Sequence, residues 1–178
     1  MSAAVDELRG EGALWVAASA DNRLPDVWGS AYAVALNLST PARREAAVAE
    51  LSGRAHLYFS AGQVRTLPYP LTWTRCCWSG PGCSGGCAPN GTYQNGGYWA
   101  TPLPYVVRAL LSTGRAEFAR QLLRATIADF KTGGVYEDVD YGRPATSKGV
   151  LNYTASATNT LRAVRELRSW QSARATRG

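Results

Sequence analysis

The sequence predicts an all-α fold, in which αα-hairpins form part of a toroid and carry their long loops on one face. Apolar residues recur at helical spacing in five segments, and very short connections alternate with much longer loops. Hydrophobic residues make up 46% of the 178 residues and charged residues 18%, which is the balance of a folded globular protein. We therefore expect a single domain over residues 1–178, with its core between about 14 and 170.

The first predicted hairpin has clear start signals at both of its helices. Residues 26–38 begin with Asp26, a good N-cap residue, and repeat apolar side chains at helical spacing. Thr40 precedes Pro41, a helix start in which proline occupies the first turn, and this second helix should end near Gly53. The short connection between the two helices predicts an antiparallel αα-hairpin.

Three further helices are expected in the second half of the chain. Residues 104–114 and 115–130 have helical periodicity and a very short connection, so they predict a second hairpin. A fifth helix is predicted over 154–170. Because an odd number of helices cannot complete hairpins, we expect the chain to form about half of a larger ring and to self-associate through uncovered helices.

The charge of the chain favours some partners and disfavours others. The net charge is +6, which can indicate nucleic-acid binding. The aromatic residues, however, lie in glycine-rich loops and do not interleave with the arginines, so an arginine-rich solvated surface is the better interpretation. No apolar run approaches the length needed to span a bilayer, and the polar N-terminal segment lacks the pattern of an export signal. We expect neither a nucleic-acid nor a membrane partner.

Four cysteines cluster in the segment CCWSGPGCSGGC, as Cys76, Cys77, Cys83 and Cys87. Two disulfides are the favoured interpretation, and they would suit an extracellular or luminal compartment. A zinc site and unpaired thiols are the alternatives, but the spacing lacks the paired CxxC knuckles typical of zinc. No metal and no cofactor are therefore expected, and the location of the protein stays open.

Two loops carry the residue types of a sugar-binding site. The loop 91–99 reads GTYQNGGYW and contains aromatic rings and amides, namely Tyr93, Gln94, Asn95, Tyr98 and Trp99. Aromatic faces stack on pyranose rings, whereas amides bind hydroxyl groups. The alternative is that aromatic residues beside glycines cap the core. The loop 134–142 reads GVYEDVDYG and supplies carboxylates. A functional loop is the usual explanation for an irregular segment as long as 55–101.

Glycosidic cleavage requires two carboxyl groups, an acid and a base, on opposite sides of the scissile bond. Glu137, Asp138 and Asp140 lie in the second loop, and Asp26 lies at a helix N-terminus. The negative charge of Asp138 would help Glu137 to hold a proton. For Asp26, helix capping is the alternative role, and for Glu137 the alternative is an ordinary loop acid.

Three segments resemble the C-terminal part of the six-hairpin, or (α/α)6-barrel, glycosidase superfamily. They are DVWGSAYAVAL at 26–36, YQNGGYWA at 93–100, and YE at 136–137 followed by NYTAS at 152–156. The cysteine-rich insertion before the QNGG motif departs from the family pattern.

This resemblance implies a partial six-hairpin domain that hydrolyses O-glycosidic bonds with inversion, with Glu137 as the general base. The general acid would come from an earlier hairpin, and Asp26 is the one substitute in this chain. The implied sugar-binding residues are Tyr93, Gln94, Asn95, Tyr98, Trp99, Asn152 and Tyr153. The alternative is a non-catalytic carbohydrate-binding or assembly module that kept the loops and lost the acid.

Overall fold

The computed structural model describes residues 12–15, 23–73, 88–139 and 149–176. This part of the chain contains five α-helices and one three-stranded antiparallel sheet. The helices are α1 Val27–Ala35, α2 Pro41–Gly53, α3 Leu103–Ser112, α4 Ala116–Gly133 and α5 Thr154–Ala175. The strands are β1 Phe59–Ser60, β2 Gln63–Arg65 and β3 Tyr98–Trp99, and a 3₁₀ turn at Ala55–Leu57 precedes β1.

The five predicted helices are confirmed, and capping explains where the first two begin. The Asp26 carboxylate accepts a hydrogen bond from the Gly29 backbone N–H at 2.8 Å, so Asp26 is the N-cap of α1. The Thr40 hydroxyl accepts from the Arg43 N–H at 3.3 Å, with Pro41 in the first turn of α2. The boundaries differ by a few residues, and α5 extends beyond Trp170.

The predicted all-α toroid is wrong, because the molecule is a mixed α/β structure. The segment 55–101, which has no helical periodicity, contributes all three strands. In the β1–β2 hairpin, Phe59 lies opposite Val64, and in the β2–β3 pair Val64 lies opposite Trp99. These strands have only two or three residues each, so an alternating pattern cannot develop in the sequence.

The turn of the β1–β2 hairpin lacks the usual sequence signal. Ala61 and Gly62 connect the strands with φ angles of 48° and 78°, as in a turn with two left-handed residues. An Asn-Gly pair is the common signal for such a turn, but an alanine stands at its first position. A Cβ atom at Gly62 would collide with the Leu122 carbonyl oxygen, so the turn packs directly on α4.

Helix α3 lies at the centre of the core, between α1 and α5. Its buried side chains include Leu103, Val106, Val107, Leu110 and Leu111. The apolar face of α1 is covered as well, since Val27 and Val34 are 0% and 2% exposed. The expectation of an uncovered helix at each end of the chain is therefore wrong for α1, whereas Leu161 on α5 is 51% exposed. None of the helices in these ranges is long and apolar enough to cross a membrane.

Candidate functional site

Strand β3 brings together the two loops that the sequence singles out. The backbone groups of Tyr98 and Val139 exchange two hydrogen bonds of 2.9 Å. On the other side of the same segment, the Glu137 N–H donates to the Val150 carbonyl at 3.0 Å, and Tyr136 pairs with Leu151. Residues 136–139 are therefore held between β3 and the residues that precede α5.

Tyr93 adds further hydrogen bonds between the first loop and the second. Its phenol donates to Oε1 of Glu137 at 3.5 Å, and its backbone N–H donates to Oδ2 of Asp138 at 3.2 Å. The Tyr93 carbonyl accepts from the Gly97 N–H at 2.8 Å and from the Trp99 indole N–H at 3.2 Å. These bonds hold Tyr93 in a left-handed conformation, with a φ of 43°.

A cleft of about 330 Å³ opens between these loops, and we call it the Glu137 cleft. Its wall combines small, apolar and acidic residues: Ala88, Pro89, Thr92, Tyr93, Glu137, Asp138, Gly149 and Val150. A concave site with a few convergent polar groups is the usual form of a small-molecule binding site.

The two carboxylates of the cleft have different environments. Asp138 is 3% exposed, and it accepts the backbone hydrogen bond from Tyr93. A Cβ atom at Gly149 would lie 2.5 Å from Oδ1 of Asp138, so the backbone of residue 149 packs directly against this carboxylate. Asp138 therefore organises the loops. Glu137 is only half-buried and borders the open space of the cleft.

The Tyr93 phenol is kept in its protonated form. Burial raises its pKa above the usual value, and the negative charge of the Glu137 carboxylate raises that pKa further. At neutral pH the phenol can therefore donate a hydrogen bond to Glu137 or to a bound hydroxyl group.

Asp26 is part of the helix cap and does not line the Glu137 cleft. Burial raises the pKa of its carboxyl group, and this effect outweighs the backbone hydrogen bonds from Gly29 and Trp28, which lower it. Capping is thus a sufficient structural role for Asp26.

Three predicted sugar contacts lie beneath the surface. Asn95, Tyr98 and Trp99 are 1%, 2% and 4% exposed. The Asn95 amide donates to the Ala88 carbonyl at 2.6 Å and accepts from the Trp73 N–H at 2.5 Å, so it links separate parts of the loop. These three side chains are therefore part of the core under the loops, which agrees with the alternative that aromatic residues beside glycines cap the core.

The remaining predicted contacts lie nearer the surface. Gln94 and Asn152 are exposed, and Asn152 has a φ of 60°. Tyr153 is half-buried and precedes α5. Asp140 and the four cysteines Cys76, Cys77, Cys83 and Cys87 lie outside the described residues. Within the described residues, no group of three or more His, Cys, Asp or Glu side chains could hold a metal ion.

A second concavity was not predicted from the sequence. We call it the Tyr32 pocket; it has a volume of about 270 Å³ and is lined by Trp28, Gly29, Tyr32, Thr101, Pro102 and Tyr105. The signal that could have found it is the spacing of Trp28 and Tyr32, which places both rings on one face of a helix.

A comparison with models of known protein families gives no match, and a search of curated proteins finds no significant similarity to this chain.

Proposed function

We propose that this chain is a glycoside hydrolase-like protein that binds carbohydrate in the Glu137 cleft, with Glu137 as the general base that activates water. The observation that carries the proposal is the position of Glu137 at the cleft beside the protonated phenol of Tyr93. A carboxylate at the wall of an open cleft can reach a water molecule, and a neighbouring donor fixes its orientation.

Tyr93 supports sugar binding as well as catalysis. Its ring packs 5.0 Å from that of Trp99, and Tyr93 is one of the residues that line the cleft. A fixed aromatic side chain with a hydroxyl group can contact both the apolar face and a hydroxyl of a pyranose.

The general acid must be a second carboxyl group, across the scissile bond from the base. Asp138 follows Glu137 directly and accepts a backbone hydrogen bond, and Asp26 caps α1. Neither is placed for that role. In the proposed mechanism, the acid is therefore supplied from outside the described residues.

A specific observation favours the alternative, a non-catalytic carbohydrate-binding module. Among the described residues that line the cleft, Glu137 is the only carboxylate that is not buried. A single carboxylate is enough to bind sugar hydroxyls but does not complete the acid–base pair of a hydrolase.

The two functions are separated by assaying hydrolysis and binding together. The protein is incubated with aryl glycosides and neutral oligosaccharides, as wild type and as Glu137→Gln, with Glu117→Gln on the exposed surface of α4 as the matched control. If Glu137 is the general base of a hydrolase, Glu137→Gln should lower the turnover number by about 100-fold or more, and Glu117→Gln should leave it unchanged. Nuclear magnetic resonance of the first product should show the inverted anomer.

Other outcomes lead to different assignments. Binding without turnover, weakened by Glu137→Gln, would establish the carbohydrate-binding module. Turnover that survives Glu137→Gln would remove Glu137 from the mechanism. If no sugar in the panel is bound or cleaved, both proposals fail.

A further inference from the structure

Three asparagines of this chain stand in the acceptor pattern for N-linked glycosylation, which is Asn-x-Ser/Thr without a proline at x. They are Asn37 in NLS, Asn90 in NGT and Asn152 in NYT. The pattern alone occurs often by chance, so the surroundings of each asparagine decide whether a glycan fits. A glycan is bulky and hydrated, and it therefore requires a surface position outside the packed elements.

All three asparagines are exposed and lie in turns, outside the helices and strands. Asn37 lies two residues beyond the end of α1, and Asn152 lies two residues before α5. Both have left-handed φ angles, of 61° and 60°, a conformation that asparagine adopts more readily than most other residues. Asn90 stands in the turn that follows Pro89. Each position can therefore carry a glycan without disturbing a helix or a strand.

The atom that would carry the glycan is available at all three positions. N-linked glycans are attached to the side-chain nitrogen Nδ2, and within the described ranges Nδ2 of Asn37, Asn90 and Asn152 donates no hydrogen bond. The Asn90 side chain does accept a hydrogen bond, from the Asn95 amide at 3.3 Å. That bond uses the oxygen of Asn90 and leaves its nitrogen for the glycan.

The other two asparagines of the described part of the chain provide a contrast, because neither stands in the acceptor pattern. Asn95 is 1% exposed, and its Nδ2 donates to the Ala88 carbonyl at 2.6 Å. Asn159 is half-buried on α5, and its Nδ2 donates to the Ala155 carbonyl at 3.0 Å. The asparagines with the pattern thus have open amide nitrogens, whereas those without it use theirs to hold the fold.

Two of the three asparagines directly follow exposed apolar side chains. Leu36 is 38% exposed before Asn37, and Leu151 is 52% exposed before Asn152. A glycan at each position would cover this apolar surface with hydrated groups, which opposes association through it.

We propose that Asn37, Asn90 and Asn152 are N-glycosylation sites, which receive an oligosaccharide from a lipid-linked oligosaccharide diphosphate in the secretory pathway. The asparagine nitrogen bonds to C1 of the first sugar while the bond from C1 to the diphosphate oxygen breaks. The nitrogen loses one proton, and the lipid diphosphate leaves. The inference does not depend on the proposed function. It implies an extracellular or luminal compartment, which two disulfides among the four cysteines would also suit.

Mass spectrometry of the native protein tests the three sites. The protein, purified from its source, is treated with peptide-N-glycosidase in heavy-oxygen water, which converts each glycosylated asparagine to an aspartate that carries heavy oxygen. Trypsin then gives peptides 24–43, 76–108 and 149–162. The second peptide also contains Asn95 and the third also contains Asn159, so each has an internal control. A sample without the enzyme corrects for spontaneous deamidation, which is fastest where glycine follows asparagine.

We expect enzyme-dependent heavy aspartate at Asn37, Asn90 and Asn152, and unmodified asparagine at Asn159. Asn95 should show the same label with and without the enzyme. The same treatment should increase the electrophoretic mobility of the intact protein. When the chain is expressed in its source, replacement of any one of the three asparagines with glutamine should remove one glycan, whereas Asn159→Gln should remove none. Because the three side chains are exposed, these replacements should leave the fold intact.

The inference is overturned if the native protein contains no enzyme-dependent heavy aspartate at these asparagines. Label at only one or two of them would refute the assignment for the others. Enzyme-dependent label at Asn95 or Asn159 would show that open amide nitrogens do not distinguish the modified positions, and would contradict the structural argument.

Discussion

The phenol oxygen of Tyr93 lies 3.5 Å from Oε1 of Glu137, although 44 positions separate the two residues in the sequence. The contact depends on the pairing of Tyr98 with Val139, which aligns the two loops. Because burial is the main cause of the raised pKa of Tyr93 and the Glu137 charge is the second, the contact can be measured as a titration.

Removal of the Glu137 charge should lower the pKa of Tyr93 only in part. In Glu137→Gln we expect the pKa to move toward the ordinary tyrosine value of 10.0 but to stay above it, since burial remains. The measurement is the ultraviolet absorbance of tyrosinate against pH, with the Tyr93→Phe titration subtracted to isolate this residue. An unchanged Tyr93 curve in Glu137→Gln would show that the two side chains do not interact in solution.

Two glycines should be essential for the shape of the Glu137 cleft. A Cβ atom would lie 2.5 Å from Oδ1 of Asp138 at Gly149, and 2.5 Å from the Tyr93 carbonyl oxygen at Gly97. Alanine at either position should therefore destabilise the protein by about 1–3 kcal/mol and weaken sugar binding.

The matched control is Gly53→Ala, where a Cβ atom meets nothing within 4 Å at the end of α2. It should be neutral or slightly stabilising. Urea unfolding gives the free energies, and calorimetry gives the binding. Wild-type stability and binding in both Gly97→Ala and Gly149→Ala would contradict the described loop packing.

The cap of α1 should make stability depend on pH. Burial raises the pKa of Asp26 above its usual value of 3.8, so the charged form disfavours folding at neutral pH. The stability linked to Asp26 is fully present below its unfolded pKa and is lost as the pH rises through the folded pKa. Asp26→Asn keeps an acceptor for the Gly29 N–H without a charge.

We therefore expect Asp26→Asn to be at least as stable as wild type at neutral pH, and the difference to shrink as the pH falls below 3.8. Asp26→Ala loses the cap and should cost about 1 kcal/mol. Urea unfolding across this pH range tests both expectations. A growing advantage of Asp26→Asn at acid pH would reverse the sign and refute the assignment.

The helices could be predicted because their signals are local. Asp26, Thr40 and Pro41 mark starts that depend on the next few residues only. The sheet could not be predicted, because β2 finds its partner β3 across a long intervening segment and each strand is too short for a periodic pattern.

The same distinction applies to the site. Residue types indicated that the loops 91–99 and 134–142 form one site, and the structure brings Tyr93 of the first loop to Glu137 of the second. The sequence does not show which of these side chains are buried. Tyr98 and Trp99 are adjacent, yet both are covered: Tyr98 lies beside Arg65, and Trp99 packs against Tyr93. Tyr32 was missed because its exposure depends on how α1 packs against α3.

Arg65 should be the residue that fixes the QNGG motif in place. It is 1% exposed, and its Nε donates to the Gly96 carbonyl at 2.7 Å. Its guanidinium lies 5.3 Å from the centre of the Tyr69 ring and 5.9 Å from that of Tyr98. Gly96 has a φ of 104°, and a Cβ atom there would collide with the Arg65 guanidinium. The arginine therefore occupies the space beside this glycine.

Replacing Arg65 with methionine removes the donor and leaves the Gly96 carbonyl buried without this partner. We expect a loss of about 2–3 kcal/mol in the free energy of unfolding, measured with urea and tryptophan fluorescence, together with weaker sugar binding. Arg54→Met is the matched control, since Arg54 has a 61% exposed side chain and an ion pair with Glu50 that should contribute less than about 1 kcal/mol. Equal stabilities of the two variants would show that Arg65 does not hold the loop. If Arg65→Met lost stability and yet bound sugar as wild type, the QNGG motif would not support the Glu137 cleft.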